Sequence, residues 1–133
     1  MMGTKVTGKT LGLIGFGRIA RAMAHKAHFG FGMRIIFNDP YPPPAEVCNA
    51  LGAVSCASVE EVLRTADFVA LHCPGGDATR HLMNAERLAL MRPDAFLINT
   101  ARGDVIDQDA LVDALVQRRI AGAGLDVYDG EPK

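Results

Sequence analysis

Six short, mostly apolar runs, in which apolar residues stand side by side and not only at every second position, constrain this chain more than any other feature. They are Thr10 to Ile14, Met33 to Phe37, Ala53 to Cys56, Phe68 to Leu71, Phe96 to Asn99 and Ala121 to Leu125. A strand that is apolar on both sides must be covered on both faces, which is the condition of a parallel sheet between two layers of helices. The segments between the runs carry helical signals. Arg18 to Phe29 places Ile19, Ala20, Met23 and Ala27 on one face, with Gly30 and Gly32 as stops. Pro44 suits the first position of a helix ending near Leu51 and Gly52. Ser58-Val59-Glu60-Glu61 has capping-box spacing for a helix to Thr65, Asn84 suits the N-cap of Glu86 to Met91, and Asp107 suits that of Ala110 to Arg118. Right-handed crossovers between parallel strands then predict an α/β, doubly wound sheet in three layers, a Rossmann fold. The length of 133 residues fits a single domain, residues 1–133.

Composition excludes several classes of function. Fourteen basic side chains against fifteen acidic ones give a net charge of −1 with no basic run, so nucleic acid is not an expected partner. The apolar runs are far shorter than the ~20 residues of a membrane span. Cys48, Cys56 and Cys73 are odd in number and form no C-x-x-C pair, which suits reduced thiols in a cytoplasm. His25 and His28 lie on a predicted helix with no third ligand at metal spacing, so no metal site is expected and both are read as helix-surface side chains.

Where the first strand hands over to the first helix stands Gly15-Phe16-Gly17-Arg18-Ile19-Ala20, which fits G-x-G-x-x-G/A. Gly15 permits a tight turn, and Gly17 lets the backbone approach a pyrophosphate. Ala20 allows close packing of helix on strand. The helix start, from Gly17 through Arg18 and Ile19, offers free N–H groups and a partial positive charge to an anion. Asp39 ends the second strand 19 residues after Ala20, where a dinucleotide fold places the acid that accepts ribose hydroxyls. A carboxylate there repels a 2′-phosphate, so NAD is expected in preference to NADP.

Gly15 to Ala20 resembles the corresponding part of the D-isomer-specific 2-hydroxyacid dehydrogenases, the group that includes phosphoglycerate dehydrogenase. So do Asn38-Asp39-Pro40-Tyr41, Leu71-His72-Cys73-Pro74, Asn99-Thr100-Ala101-Arg102-Gly103 and Leu125-Asp126-Val127-Tyr128-Asp129-Gly130-Glu131-Pro132. The match is collinear from about Gly8 to Pro132, with Ala20 in place of the commoner glycine.

The resemblance implies an NAD-binding domain of an oxidoreductase that moves a hydride between NAD(H) and a small D-2-hydroxy or 2-oxo acid. Arg102 would bind the substrate's carboxylate and carbonyl, and a guanidinium suits that task because it is always charged and presents a planar fork of donors. Glu131 would orient the catalytic histidine. Asp126 would lie near the nicotinamide amide, and His72 and Pro74 would line the adenine side. Thr100 would face the nicotinamide, with Ala101 also among the cofactor contacts. The family's histidine follows the Glu-Pro segment, and none of His25, His28, His72 or His81 matches it, so this chain alone is expected to be inactive. A homodimer through this domain is a further implication, and most of a substrate-binding domain is expected to lie outside this chain. The competing expectation is a non-catalytic NAD-sensing or corepressor-like module of the same fold, against which Arg102 and Glu131 weigh.

Overall fold

The computed structural model describes residues 7–73, 79–101 and 103–125. Its six strands are β1 (Thr10–Ile14), β2 (Arg34–Asn38), β3 (Ala53–Ser55), β4 (Phe68–Leu71), β5 (Phe96–Asn99) and β6 (Gly122–Leu125). They form one sheet in the order β3-β2-β1-β4-β5-β6, and every pairing is parallel. Five α-helices connect them: α1 (Arg18–His25), α2 (Ala45–Leu51), α3 (Val59–Thr65), α4 (Ala85–Leu90) and α5 (Gln108–Val116).

β1 is buried at every residue, as a central strand apolar on both sides requires. Its alternate side chains feed two cores. Leu11 and Leu13 join Ile35, Phe37 and Ala70 beneath Ala20, Ala24 and Ala27, the inward residues of α1 and its continuation. Ile14 joins Val69, Leu71 and Leu97 beneath Val62 and Leu63 of α3, Leu88 of α4, and Leu111 and Ala114 of α5. The chain therefore winds outward from β1 to β3 under α1 and α2, crosses through α3, and winds outward again to β6 under α4 and α5. This is the predicted three-layer, doubly wound Rossmann arrangement.

Close packing of α3 on β1 depends on Gly12. A Cβ there would stand 2.6 Å from Val62 Cγ1 and 2.8 Å from Ala66 Cβ. Gly12→Ala is therefore expected to destabilise the chain by about 1–3 kcal/mol, the usual cost of overpacking. Chemical denaturation checks this, and an unchanged midpoint would show that α3 can give way freely.

Helix starts follow their caps more closely than their ends were predicted. Ser58, Asn84 and Asp107 accept from the N–H groups of Glu61, Arg87 and Ala110 at 3.1, 2.9 and 3.3 Å. Glu61 turns back to accept from Ala57 N–H at 3.0 Å, so its carboxylate serves the residue before the cap. α5 begins directly after Asp107 and ends at Val116, short of the predicted Arg118, which has φ +58°. Pro44 is the N-cap of α2, one position earlier than predicted.

The first helix departs most from expectation. α1 ends at His25 and continues as a π-helical turn over Lys26–Gly30. The inward face is Ala20, Ala24 and Ala27, at i, i+4 and i+7, so the buried stripe is turned toward the alanines and away from Ile19 and Met23. Ile19, expected inside, is 72% exposed, and Met23 is only half-buried. Three alanines let the helix lie close on the sheet, and the bulkier side chains are displaced to its flank. There Ile19, Met23 and Phe31 face Phe68 and Ile98 across an apolar groove of about 560 Å³. His28 is also not a free surface side chain. Its Nδ1 lies 3.0 Å from Met33 O, and its ring occupies the space where a Cβ on Gly52 would go. No helix among the described residues is long and apolar enough to cross a membrane.

Candidate functional site

Every predicted site residue among those described follows the carboxyl end of a strand. Gly15, Gly17, Arg18 and Ile19 follow β1, Asp39 follows β2, His72 follows β4, and Thr100 and Ala101 follow β5. β1 and β4 are neighbours whose connections leave toward opposite faces. A crevice must open between their ends, and ligands of open α/β sheets bind in such crevices. A cavity of about 500 Å³ lies there, bounded by residues 17–20 on one side and by His72, Cys73, Thr100 and Ala101 on the other.

The two glycines of the turn differ in what they must accommodate. Gly15 has φ +93°, and a Cβ on it would lie 2.8 Å from both His72 C and Cys73 N. This glycine serves the contact between the turn and the end of β4. Gly17 has φ −80°, and a Cβ on it would meet nothing within 4 Å. Among the described residues no packing requires that glycine, and its backbone borders the cavity.

α1 begins at this point without a capping side chain and without an acidic residue in its first turn. α3, α4 and α5 are each capped by a side chain and each has an acid there. The uncapped N–H groups and positive end of α1 thus suit an anion, which fits the pyrophosphate of a dinucleotide.

Asp39 stands beside the turn, with Oδ2 accepting from Phe16 N–H and Oδ1 from Tyr41 N–H, both at 2.7 Å. His72 and Thr100, assigned by resemblance to opposite ends of a dinucleotide, touch each other. Thr100 Oγ1 donates to Leu71 O at 2.8 Å and lies 2.9 Å from His72 Nδ1. They form one wall of one cavity. Burial holds the His72 pKa below the usual imidazole range, so the ring is neutral at pH 7 and adds no charge to the crevice. The same burial raises the pKa of the Cys73 thiol, and this buried cysteine is a packing residue.

Two contributors were not singled out from sequence. Phe16 is 2% exposed and stacks on Phe37 with ring centroids 4.1 Å apart, which roots the glycine turn in the core. Its apolar type at the second position of G-x-G was the available signal. Asn99 is 1% exposed and accepts from Ala101 N–H at 2.9 Å, holding the backbone just after β5. Pro74, Arg102, Asp126 and Glu131 lie outside the described residues.

The model of the family described as "D-isomer specific 2-hydroxyacid dehydrogenase, NAD binding domain" matches residues 1–133. The chain belongs to that family. Among curated relatives of this NAD-binding domain, a glyoxylate reductase of Thermococcus onnurineus is 50% identical over 131 residues, covering 98% of this chain and 38% of the relative. Among solved structures, apo D-mandelate dehydrogenase of Rhodotorula graminis superposes with a TM-score of 0.93 at 41% identity, covering 98% of this chain and 38% of that one. D-lactate dehydrogenase of Lactobacillus jensenii, solved with NAD+, gives 0.88 at 35% identity over 98% and 38% of the two chains. The chain spans between about a quarter and two fifths of the length of the curated relatives it matches.

Proposed function

We propose that this chain binds NAD(H) in the crevice between the ends of β1 and β4, as part of an oxidoreductase acting on a small D-2-hydroxy or 2-oxo acid. The observation that carries the reading is the uncapped start of α1, with Gly17 open to a cavity and Asp39 beside the same turn. Gly15, Gly17, Arg18 and Ile19 would present backbone to the pyrophosphate. Asp39 would accept the hydroxyls of the adenine ribose. His72, Pro74, Thr100 and Ala101 would line the wall opposite the turn, with Asp126 near the nicotinamide amide.

NAD would supply the hydride acceptor or donor. The chain's own share of the chemistry is orientation and charge. Arg102 would hold the acid's carboxylate and stabilise the oxygen on which charge develops, and Glu131 would orient and tune the proton-transferring histidine. The relatives named above reduce glyoxylate or oxidise D-hydroxy acids by their names, which supports the class of substrate and not one member of it. A homodimer through this domain accords with the same resemblance.

Titration calorimetry with both cofactors tests the binding reading. NAD is expected to bind at least tenfold more tightly than NADP, because a 2′-phosphate would approach the Asp39 carboxylate and each ~1.4 kcal/mol of repulsion is a factor of ten. Equal affinities, or tighter NADP, would remove Asp39 from the ribose. The chain by itself is expected to form no NADH from D- or L-2-hydroxy acids. Steady turnover would make His25, His28, His72 or His81 the proton carrier.

A further inference from the structure

Three consecutive residues at the end of β2 hold the glycine turn after β1. The Phe37 ring stacks on the Phe16 ring at 4.1 Å, the Asn38 carbonyl accepts from Gly15 N–H at 2.8 Å, and the Asp39 carboxylate accepts from Phe16 N–H at 2.7 Å. The first two would persist whatever stood at position 39, because one is packing and the other is backbone. The third depends on the side chain. Phe16 is 2% exposed, so its N–H has poor access to water if the carboxylate is removed. The carboxylate is itself fixed at its other oxygen, where Tyr41 N–H donates at 2.7 Å.

We propose that Asp39 is a positioning residue for the anion-binding turn, setting the Gly15–Gly17 backbone through Phe16 N–H, so that one carboxylate couples the ribose and pyrophosphate subsites. This rests on the cofactor reading above and deepens it. An ionised carboxylate offers about four acceptor sites. The protein occupies one on each oxygen, leaving one on each for the two hydroxyls of a ribose. Asp39 therefore contacts the diol only in the orientation that also holds the turn. Exchanging it to admit NADP would loosen the site for the phosphates that both cofactors share.

The test separates the two roles of Asp39. The ligands are NAD and its 2′,3′-dideoxyadenosine analogue, which keeps the pyrophosphate and has no adenine-ribose diol. Both are titrated against the unaltered chain, Asp39→Ala and Asp39→Asn. Amide hydrogen exchange at Phe16 is followed by NMR in the ligand-free proteins, with Leu13 in the core as the internal control. Asp39→Ala is expected to weaken the analogue about tenfold, a loss that no ribose contact can cause, and to speed Phe16 exchange by a similar factor while Leu13 is unchanged. Asp39→Asn keeps a carbonyl oxygen for Phe16 and should restore most of the analogue's affinity and of the Phe16 protection. Unchanged analogue affinity in Asp39→Ala, or Phe16 exchange at the unaltered rate, would overturn the proposal. If the unaltered chain bound neither dinucleotide, the cofactor reading would fall instead, and the exchange measurement would still decide whether Asp39 anchors the turn.

Discussion

Gly15→Ala and Gly17→Ala, two residues apart in the same turn, are expected to fail in opposite ways. At Gly15 an added methyl meets the backbone of His72 and Cys73 at 2.8 Å, and backbone at the end of a central strand cannot rotate aside. The φ of +93° adds strain for any residue with a Cβ. Overpacking at about 1–3 kcal/mol and left-handed strain at about 1–2 kcal/mol together predict a loss of about 2–5 kcal/mol. In a domain of this size that lowers Tm on the order of 10 °C, and binding is lost along with the fold. At Gly17 the methyl enters open space at φ −80°, which alanine adopts readily, so stability should stay within about 1 kcal/mol. Dinucleotide affinity should nevertheless fall by at least about tenfold, because the methyl stands where the pyrophosphate has to approach the backbone. Scanning calorimetry and ligand titration on both variants check the pair. A destabilised Gly17→Ala that binds normally, or a stable Gly15→Ala, would reverse the roles assigned to the two glycines.

On the proposed reading, the largest effect on turnover is expected at Arg102, measured with this domain in a full-length enzyme of the family. Arg102→Ala should lower kcat/KM by about 10²–10³ or more, the usual loss when a preorganised donor to a developing oxyanion is removed. Arg102→Lys should be nearly as damaging, since an ammonium keeps the charge but lacks the planar two-point fork that grips a carboxylate and a neighbouring carbonyl. Asn99 accepts from the N–H of Ala101, the residue before Arg102 in the chain, so Asn99→Ala should show a smaller loss in the same direction. The assay is NADH absorbance with a panel of D- and L-2-hydroxy acids, alongside calorimetric titration of NAD. Unaltered NAD affinity with lost turnover supports a substrate role. Lost NAD affinity would instead make Arg102 part of the cofactor site, and full activity in the Lys variant would rule out two-point recognition.

Residue types alone determined the strand and helix order, because each element carries a local cause. The central strand β1 is buried at every residue, three helices have side-chain caps, and the turn after β1 has a glycine where the backbone takes a positive φ. The three-layer doubly wound fold then follows from crossover handedness, which brings the described candidate residues to the ends of β1, β2, β4 and β5. Tertiary structure decided what depends on distance between segments far apart in the chain. The period of α1 allows either a stripe through Ile19 and Met23 or one through Ala20, Ala24 and Ala27, and close approach of the helix to the sheet selects the alanines, leaving Ile19 exposed. The contact of His72 with Thr100 joins the ends of two neighbouring strands 28 residues apart. Likewise, the bond from Phe16 to Asp39 spans 23 residues and exists because β1 and β2 pair in register, which brings the end of one against the turn of the other. Local patterning specifies which elements form; register and packing specify which side chains they place within reach of one another.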